Sequence, residues 1–301
     1  MKRRHRRLAY LVALAAIAGL LPQAARAATI SVNCLNQADD LLAVQAAVQS
    51  ASSGDTIQLS GVCDFTTAAP HGGDATSIEA GAILVRPAAI SNLTIEGADA
   101  NATVIGNGLS AAFVIGPAAI NTTIRRLRFV NFARSVVAIN TTGTTVGADD
   151  GALPSANGLR IVASATADSS IQGLAVSRNP ESAPLGNVTV KYGANGMFTY
   201  TFPGQAAASL TNFRVAGNYI TYAPPGAGVP DVAAIDVRQR FYRMVNGVRI
   251  ANNAVGMLTP TFLTTNVAAI KLHSTSPADP VTNTIADYLI RNVDISNNNL
   301  G

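Results

Sequence analysis

Tryptophan is absent from this 301-residue chain, aromatic residues reach only 5% and charged residues only 13%. Low charge combined with 48% hydrophobic residues excludes an intrinsically disordered chain. The shortage of large rings leaves Ala, Val, Ile and Thr to build the core, which favours sheets over helical bundles. Cysteine is scarce too, at two residues, and with three histidines no cluster has zinc-ligand spacing. Nucleic-acid binding loses its electrostatic basis once the charge is located. The formal +4 includes Lys2, Arg3, Arg4, Arg6, Arg7 and Arg26, so beyond residue 27 there remain 15 bases against 17 acids.

Those N-terminal bases precede an apolar run of 14 residues, Leu8 to Leu21, and a small-residue site, Ala25-Arg26-Ala27. The pattern predicts a secretory signal peptide over residues 1–27, cleaved after Ala27. A membrane-spanning helix needs about 20 apolar residues. This run is shorter and stops at Pro22, and no later stretch is long enough, so no membrane span is expected after signal removal. The remaining chain, 28–301, is expected to be secreted, extracellular or periplasmic. In an oxidising compartment an even cysteine count reads as a bridge, Cys34–Cys63, which closes about 30 residues and stabilises by about 3–4 kcal/mol.

What the chain does have is repetition. Asn36 is placed to cap a helix running through Asp39-Asp40, with Leu41, Val44, Val48 and Ala51 at helical spacing and an end at Gly54. From Thr56 onward, short β-branched runs alternate with Asn, Gly and Pro, a strand-and-turn texture. Phe213-Arg214-Val215-Ala216-Gly217-Asn218, Val248-Arg249-Ile250-Ala251-Asn252-Asn253 and Val293-Asp294-Ile295-Ser296-Asn297-Asn298 share one frame at offsets of 35 and 45. Val232–Ile235 and Val267–Ile270 obey the same offset of 35. In the first half Leu93-Thr94-Ile95 is matched to Leu127-Arg128-Phe129, 34 residues on. Leucine-rich, helical and propeller repeats lack their signatures here, which leaves a stack of units with two or three short strands each. In such a stack Asn218, Asn253 and Asn298 are expected to form an amide ladder.

The N-terminal amphipathic helix, the segment Ser53-Gly54-Asp55-Thr56-Ile57-Gln58-Leu59, a cysteine on either side of that unit and the Asn-rich turns together resemble the right-handed parallel β-helix superfamily, the pectin-lyase-like fold. The resemblance covers roughly residues 30–301 and implies an all-β fold, a right-handed parallel β-helix with a short capping helix in an N-terminal cap at about 30–65. Such motifs speak for fold more than for activity. The last match, at Asn297–Gly301, stops within a unit, so the C-terminal end is expected to be incomplete or uncapped.

Strand alternation with Ile235, Val237, Ile270 and Leu272 inward puts Asp236 and Arg238 beside Lys271 and His273 of the next strand, about 4.8 Å away. Uronate lyases of the fold that the chain resembles remove the proton alpha to a carboxylate with a basic side chain. That resemblance gives Lys271 the role of base, His273 that of acid and Arg238 or Arg249 that of carboxylate partner. The competing reading is a surface ion pair between Asp236 and Lys271. Arg214, Arg249 and Asp294 share the outward position of another strand column, where adjacent arginines repel unless an anion or a loop acid intervenes. Tyr222, with Tyr219, Phe241 and Tyr242, offers rings for sugar stacking, with core packing the expected role of at least two of the four, and the 222–230 and 257–266 loops are candidate cleft walls. Asp149-Asp150-Gly151 has the paired carboxylates of polygalacturonases without that family's Asn-Thr-Asp or Arg-Ile-Lys segments, and reads as a solvated turn. Asp149, Asp150 and Asp168 offer oxygens to calcium, but no calcium-repeat nonapeptide or EF-hand loop accompanies them, so no cofactor is expected.

Two functions follow. One is a secreted protein that binds or acts on polysaccharide, with cleavage of acidic, uronate glycans among its activities. The other is a non-catalytic surface adhesin or structural repeat protein. A titratable patch in a cleft points to an enzyme, and a flat Thr/Asn-rich outer face points to an adhesin. Oligomeric state and the identity of the glycan are not encoded in these patterns.

Overall fold

The computed structural model describes residues 27–68, 81–85, 89–164, 167, 169–176, 188–192, 198–202, 209–222, 231–240, 244–257, 266–274 and 290–301. Residues 1–26, Phe241, Tyr242, Asp168 and most of the two candidate wall loops lie outside them. The described chain is all-β apart from one helix, α1 (Asp40–Ser50), and its strands pair in long parallel ladders. The one antiparallel pair among the described residues joins Val188–Tyr192 to Phe198–Phe202.

Three ladders organise the chain. The first runs through Thr29–Leu35, Thr56–Asp64, Thr94–Gly97, Thr123–Arg125, Thr145–Gly147, Arg214–Ala216, Val245–Ala251 and Ile290–Ser296. The second starts from the far end of Thr56–Asp64 and continues through Thr103–Ile105, Arg128–Val130, Arg160–Val162, Tyr219–Tyr222, Ala254–Met257 and Asn299–Leu300. The third contains Gly81–Val85, Ala111–Ile115, Arg134–Ile139, Ser169–Val176, Asp231–Arg240 and Asn266–Ser274. Each strand therefore pairs with its counterpart one unit along the chain, an arrangement compatible with a parallel β-helix.

The offset of 35 read from the sequence is the structural register, since Arg214 pairs with Arg249 and Ala233 with Ala268. In the first half the register differs from the expected one. Thr94 pairs with Thr123, and Arg128 pairs with Thr103 in the second ladder, so the Leu93 and Leu127 segments belong to different ladders. Three-residue strands of β-branched and aromatic residues look alike in every ladder, and only the hydrogen bonds separate them.

One inward column of the first ladder is wholly apolar, with Ile57, Ile95, Ile124, Val146, Val215 and Ile250 all buried. Phe65, Phe113, Phe129 and Phe132 pack edge to face with ring centroids 5.9 to 6.4 Å apart. The turn between the first and second ladders uses left-handed backbone at Gly217, Asn252 and Asn297. Glycine is required at the first of these, because a β-carbon on Gly217 would lie 2.4 Å from the Ala148 carbonyl oxygen.

Helix α1 buries Leu41, Val44 and Val48, as its spacing predicts. Asn36 does not cap it. That residue adopts left-handed backbone, and the Asp40 carboxylate instead accepts the N–H groups of Leu35, Gln37 and Asp64. A carboxylate is the stronger acceptor, and it ties the helix start to two strands at once. Cys34 and Cys63 form the expected disulfide beside this junction.

Asp55 plays a similar role at the end of α1. Its carboxylate accepts the N–H groups of Ala28 and Ser52, each at 2.8 Å. These bonds, that from Ala28 most of all, hold Asp55 below the ordinary carboxylate range against the opposing effect of burial. A folded pKa below the unfolded one means that this stabilisation is complete above about pH 4 and is lost as pH falls through the folded value. Urea midpoints measured from pH 6 to pH 2.5 are expected to decline less steeply for Asp55→Asn than for the wild type. Parallel profiles would show that Asp55 contributes nothing to acid sensitivity.

Candidate functional site

The third ladder brings the sequence-predicted block together. Asp236 is the register partner of Lys271 and Arg238 that of His273, with Gln172 beside Asp236 on the preceding strand. Its surroundings differ from the solvated patch expected. Asp236 is fully buried, and its Oδ2 accepts from the Arg238 Nε–H and, at 3.2 Å, from Gln172 Nε2. The guanidinium of Arg238, only 13% exposed, is thereby engaged by an acid of its own strand. Asp236 Oδ1 and Gln172 Oε1 are buried acceptors with no hydrogen-bond donor among the described residues. Leu272, expected inward, is 37% exposed on the last described strand of the ladder, where no further described unit stacks over it.

The first ladder carries Arg214, Arg249 and Asp294 in register, as expected. A loop acid neutralises one of them: Arg249 meets Asp149 at 3.0 Å through Nε and Asp294 at 3.2 Å through Nη1. Arg214 is exposed and forms no ion pair among the described residues. Preceding it in the same outward column stand Thr56, Thr94, Thr123 and Thr145, each half-buried. Tyr222 belongs to the second ladder, with Met257 as its register partner, and its side chain lies outside the described residues.

Asp149, Asp150 and Gly151 are exposed, as a solvated turn requires, but both carboxylates are engaged. Asp149 holds Arg249, and Asp150 accepts the Ser155 hydroxyl and the Ala152 N–H, bonds that pull its pKa below the usual carboxylate range, the Ser155 bond most of all. Among the described residues no group of three His, Cys, Asp or Glu side chains could hold a metal ion.

Two charged constellations escaped the sequence reading. Glu96, buried on the outward face of the first ladder, accepts Arg125 at 2.8 Å and Arg126 at 2.8 Å, while Gln58 donates to it at 3.4 Å. The second constellation lies on the second ladder. There Thr103, Arg128, Arg160, Tyr219 and Ala254 succeed one another in one outward column. Arg128, Arg160 and Tyr219 are exposed, and the two arginines form no ion pair among the described residues. The signal was present as Leu127-Arg128-Phe129-Val130 and Leu159-Arg160-Ile161-Val162, two copies of one strand pattern.

No protein-family model, no curated protein and no solved structure matches this chain. Its chemistry is therefore read from its own geometry.

Proposed function

We propose that the chain is an exported right-handed parallel β-helix protein that binds polysaccharide on its outer faces without cleaving it. The parallel ladders, the repeat offset that recurs as register and the disulfide support the fold and the export. The observation that carries the function is the outward column of the first ladder, Thr56, Thr94, Thr123, Thr145 and Arg214. Strands about 4.8 Å apart turn this column into a regular row of hydroxyls that leads to the exposed cation of Arg214, beyond which Arg249 and Asp294 pair with each other. Such a row suits the hydrogen-bonding groups of an extended sugar chain. The third-ladder block favours binding for a separate reason, since Arg238 is committed to Asp236 rather than open to a substrate carboxylate.

Register supports one alternative, a uronate lyase with Lys271 as base and His273 as acid, because both stand beside Asp236 and Arg238. One pair of assays separates the two. The purified protein is expected to be retained on immobilised acidic polysaccharide while ultraviolet absorbance from unsaturated ends stays flat. An absorbance rise that disappears in Lys271→Ala would replace the binding reading with the lyase. Absence of both retention and absorbance would remove glycan as the partner.

A further inference from the structure

We infer that the second ladder carries an anion site, formed by Arg128, Arg160 and Tyr219, for a sugar bearing a carboxylate or sulfate group. The inference deepens the polysaccharide-binding reading and rests on it for the sugar ring. The anion requirement stands on the arginines alone.

Arg128 and Arg160 are direct register partners on adjacent strands, so their backbones are about 4.8 Å apart. Two guanidinium groups projecting from such neighbours repel each other unless an anion lies between them. In two other stacked or neighbouring arginine pairs among the described residues, Arg125–Arg126 and Arg214–Arg249, at least one member is held by an acid. Arg125 and Arg126 share Glu96, and Arg249 has Asp149 and Asp294. No acid does this for Arg128 and Arg160 among the described residues. Asp99 accepts the N–H groups of Asn101 and Ala102, and Asp150 accepts from Ser155 and Ala152.

The surroundings are shaped for more than an ion. Two clefts of about 390 and 370 Å³ share Arg160 and Tyr219, and Arg128 with Thr103 and Asn101 lines the second of them. Both volumes fall in the range of roughly 300–1,000 Å³ typical of small-ligand sites. Tyr219, 45% exposed and next in the column, supplies a flat apolar face on which a pyranose ring can stack. A planar guanidinium fork matches a carboxylate or a sulfate equally well, which is why both are included.

The test is affinity electrophoresis of the full exported chain in gels containing polygalacturonate, dextran sulfate, neutral dextran or oligo-dT. Retardation by one or both acidic glycans, but not by dextran or oligo-dT, is expected. In Arg128→Ala/Arg160→Ala the dissociation constant should rise about tenfold or more, as two charge-assisted contacts are removed. Arg128→Lys/Arg160→Lys should recover only part of this loss, and Tyr219→Ala should weaken binding where Tyr219→Phe does not. Unchanged melting temperatures confirm that the exposed substitutions leave the fold intact. Retardation that survives the double alanine variant would overturn this site and leave the polysaccharide reading standing. Equal retardation by oligo-dT would overturn the sugar, and no retardation by any polymer would overturn both readings.

Discussion

Replacing Asn253 by Ala is expected to destabilise the protein by about 3 kcal/mol, because it orphans buried groups on both sides. Asn253 Oδ1 accepts the Asn218 N–H at 3.1 Å and Asn218 Nδ2 at 2.9 Å. Its own Nδ2 donates to the Val215 carbonyl and to Asn298 Oδ1, both at 2.9 Å. Asn218 and Asn253 are fully buried, so water cannot replace these partners. Asn253→Asp should be worse, since it removes a donor and introduces a charge with no compensating cation. Asn298→Ala should cost about half as much, because Asn298 ends the described ladder and is only partly buried. Urea unfolding followed by circular dichroism measures all three. Equal, small losses below about 1 kcal/mol would mean that the amide ladder adds little beyond the strand hydrogen bonds.

Opening the Cys34–Cys63 bridge is the second large effect, at about 3–4 kcal/mol for a sequence separation of 29 residues. The loss should be local. Thr29–Leu35 is held by its ladder to Thr56–Asp64, by the disulfide and by Asp40, whereas the strands beyond residue 94 have their own neighbours. In a stack where each unit touches chiefly the next, damage at one end does not travel far. Hydrogen exchange on Cys34→Ser/Cys63→Ser should therefore show faster exchange in Thr29–Leu35 and α1, with Arg214–Ala216 and Tyr219–Tyr222 unchanged. Uniform acceleration along the chain would show that the whole described body unfolds as one unit.

The parts of this molecule that could be read in the amino-acid sequence are those governed by a repeated local pattern. The amide ladder of Asn218, Asn253 and Asn298 was visible because the offsets of 35 and 45 that align these residues are also the offsets of the ladder. The pairing of Asp236 with Lys271 and of Arg238 with His273 followed from the same offset. Where units have unequal length, as between Thr94 and Thr123 or Thr103 and Arg128, similarity of short strands misled the alignment. The twin patterns around Arg128 and Arg160 are local as well, but they gain meaning only when the two strands are known to be neighbours.

Repetition, apolar alternation and turn residues, together with the even cysteine count, therefore determined by themselves that this chain folds as stacked parallel strands with a helix and a disulfide in its N-terminal part. Charge placement was decided by tertiary structure alone. Arg249 meets Asp149 from 100 positions away, and Asp236 is buried against Arg238 and Gln172 instead of standing in water. Backbone periodicity specifies which residues share a face, because strand geometry has one period. Which acid reaches which arginine, and which arginine pair is left to bind an anion, depends on loops whose ends meet only after the ladders form.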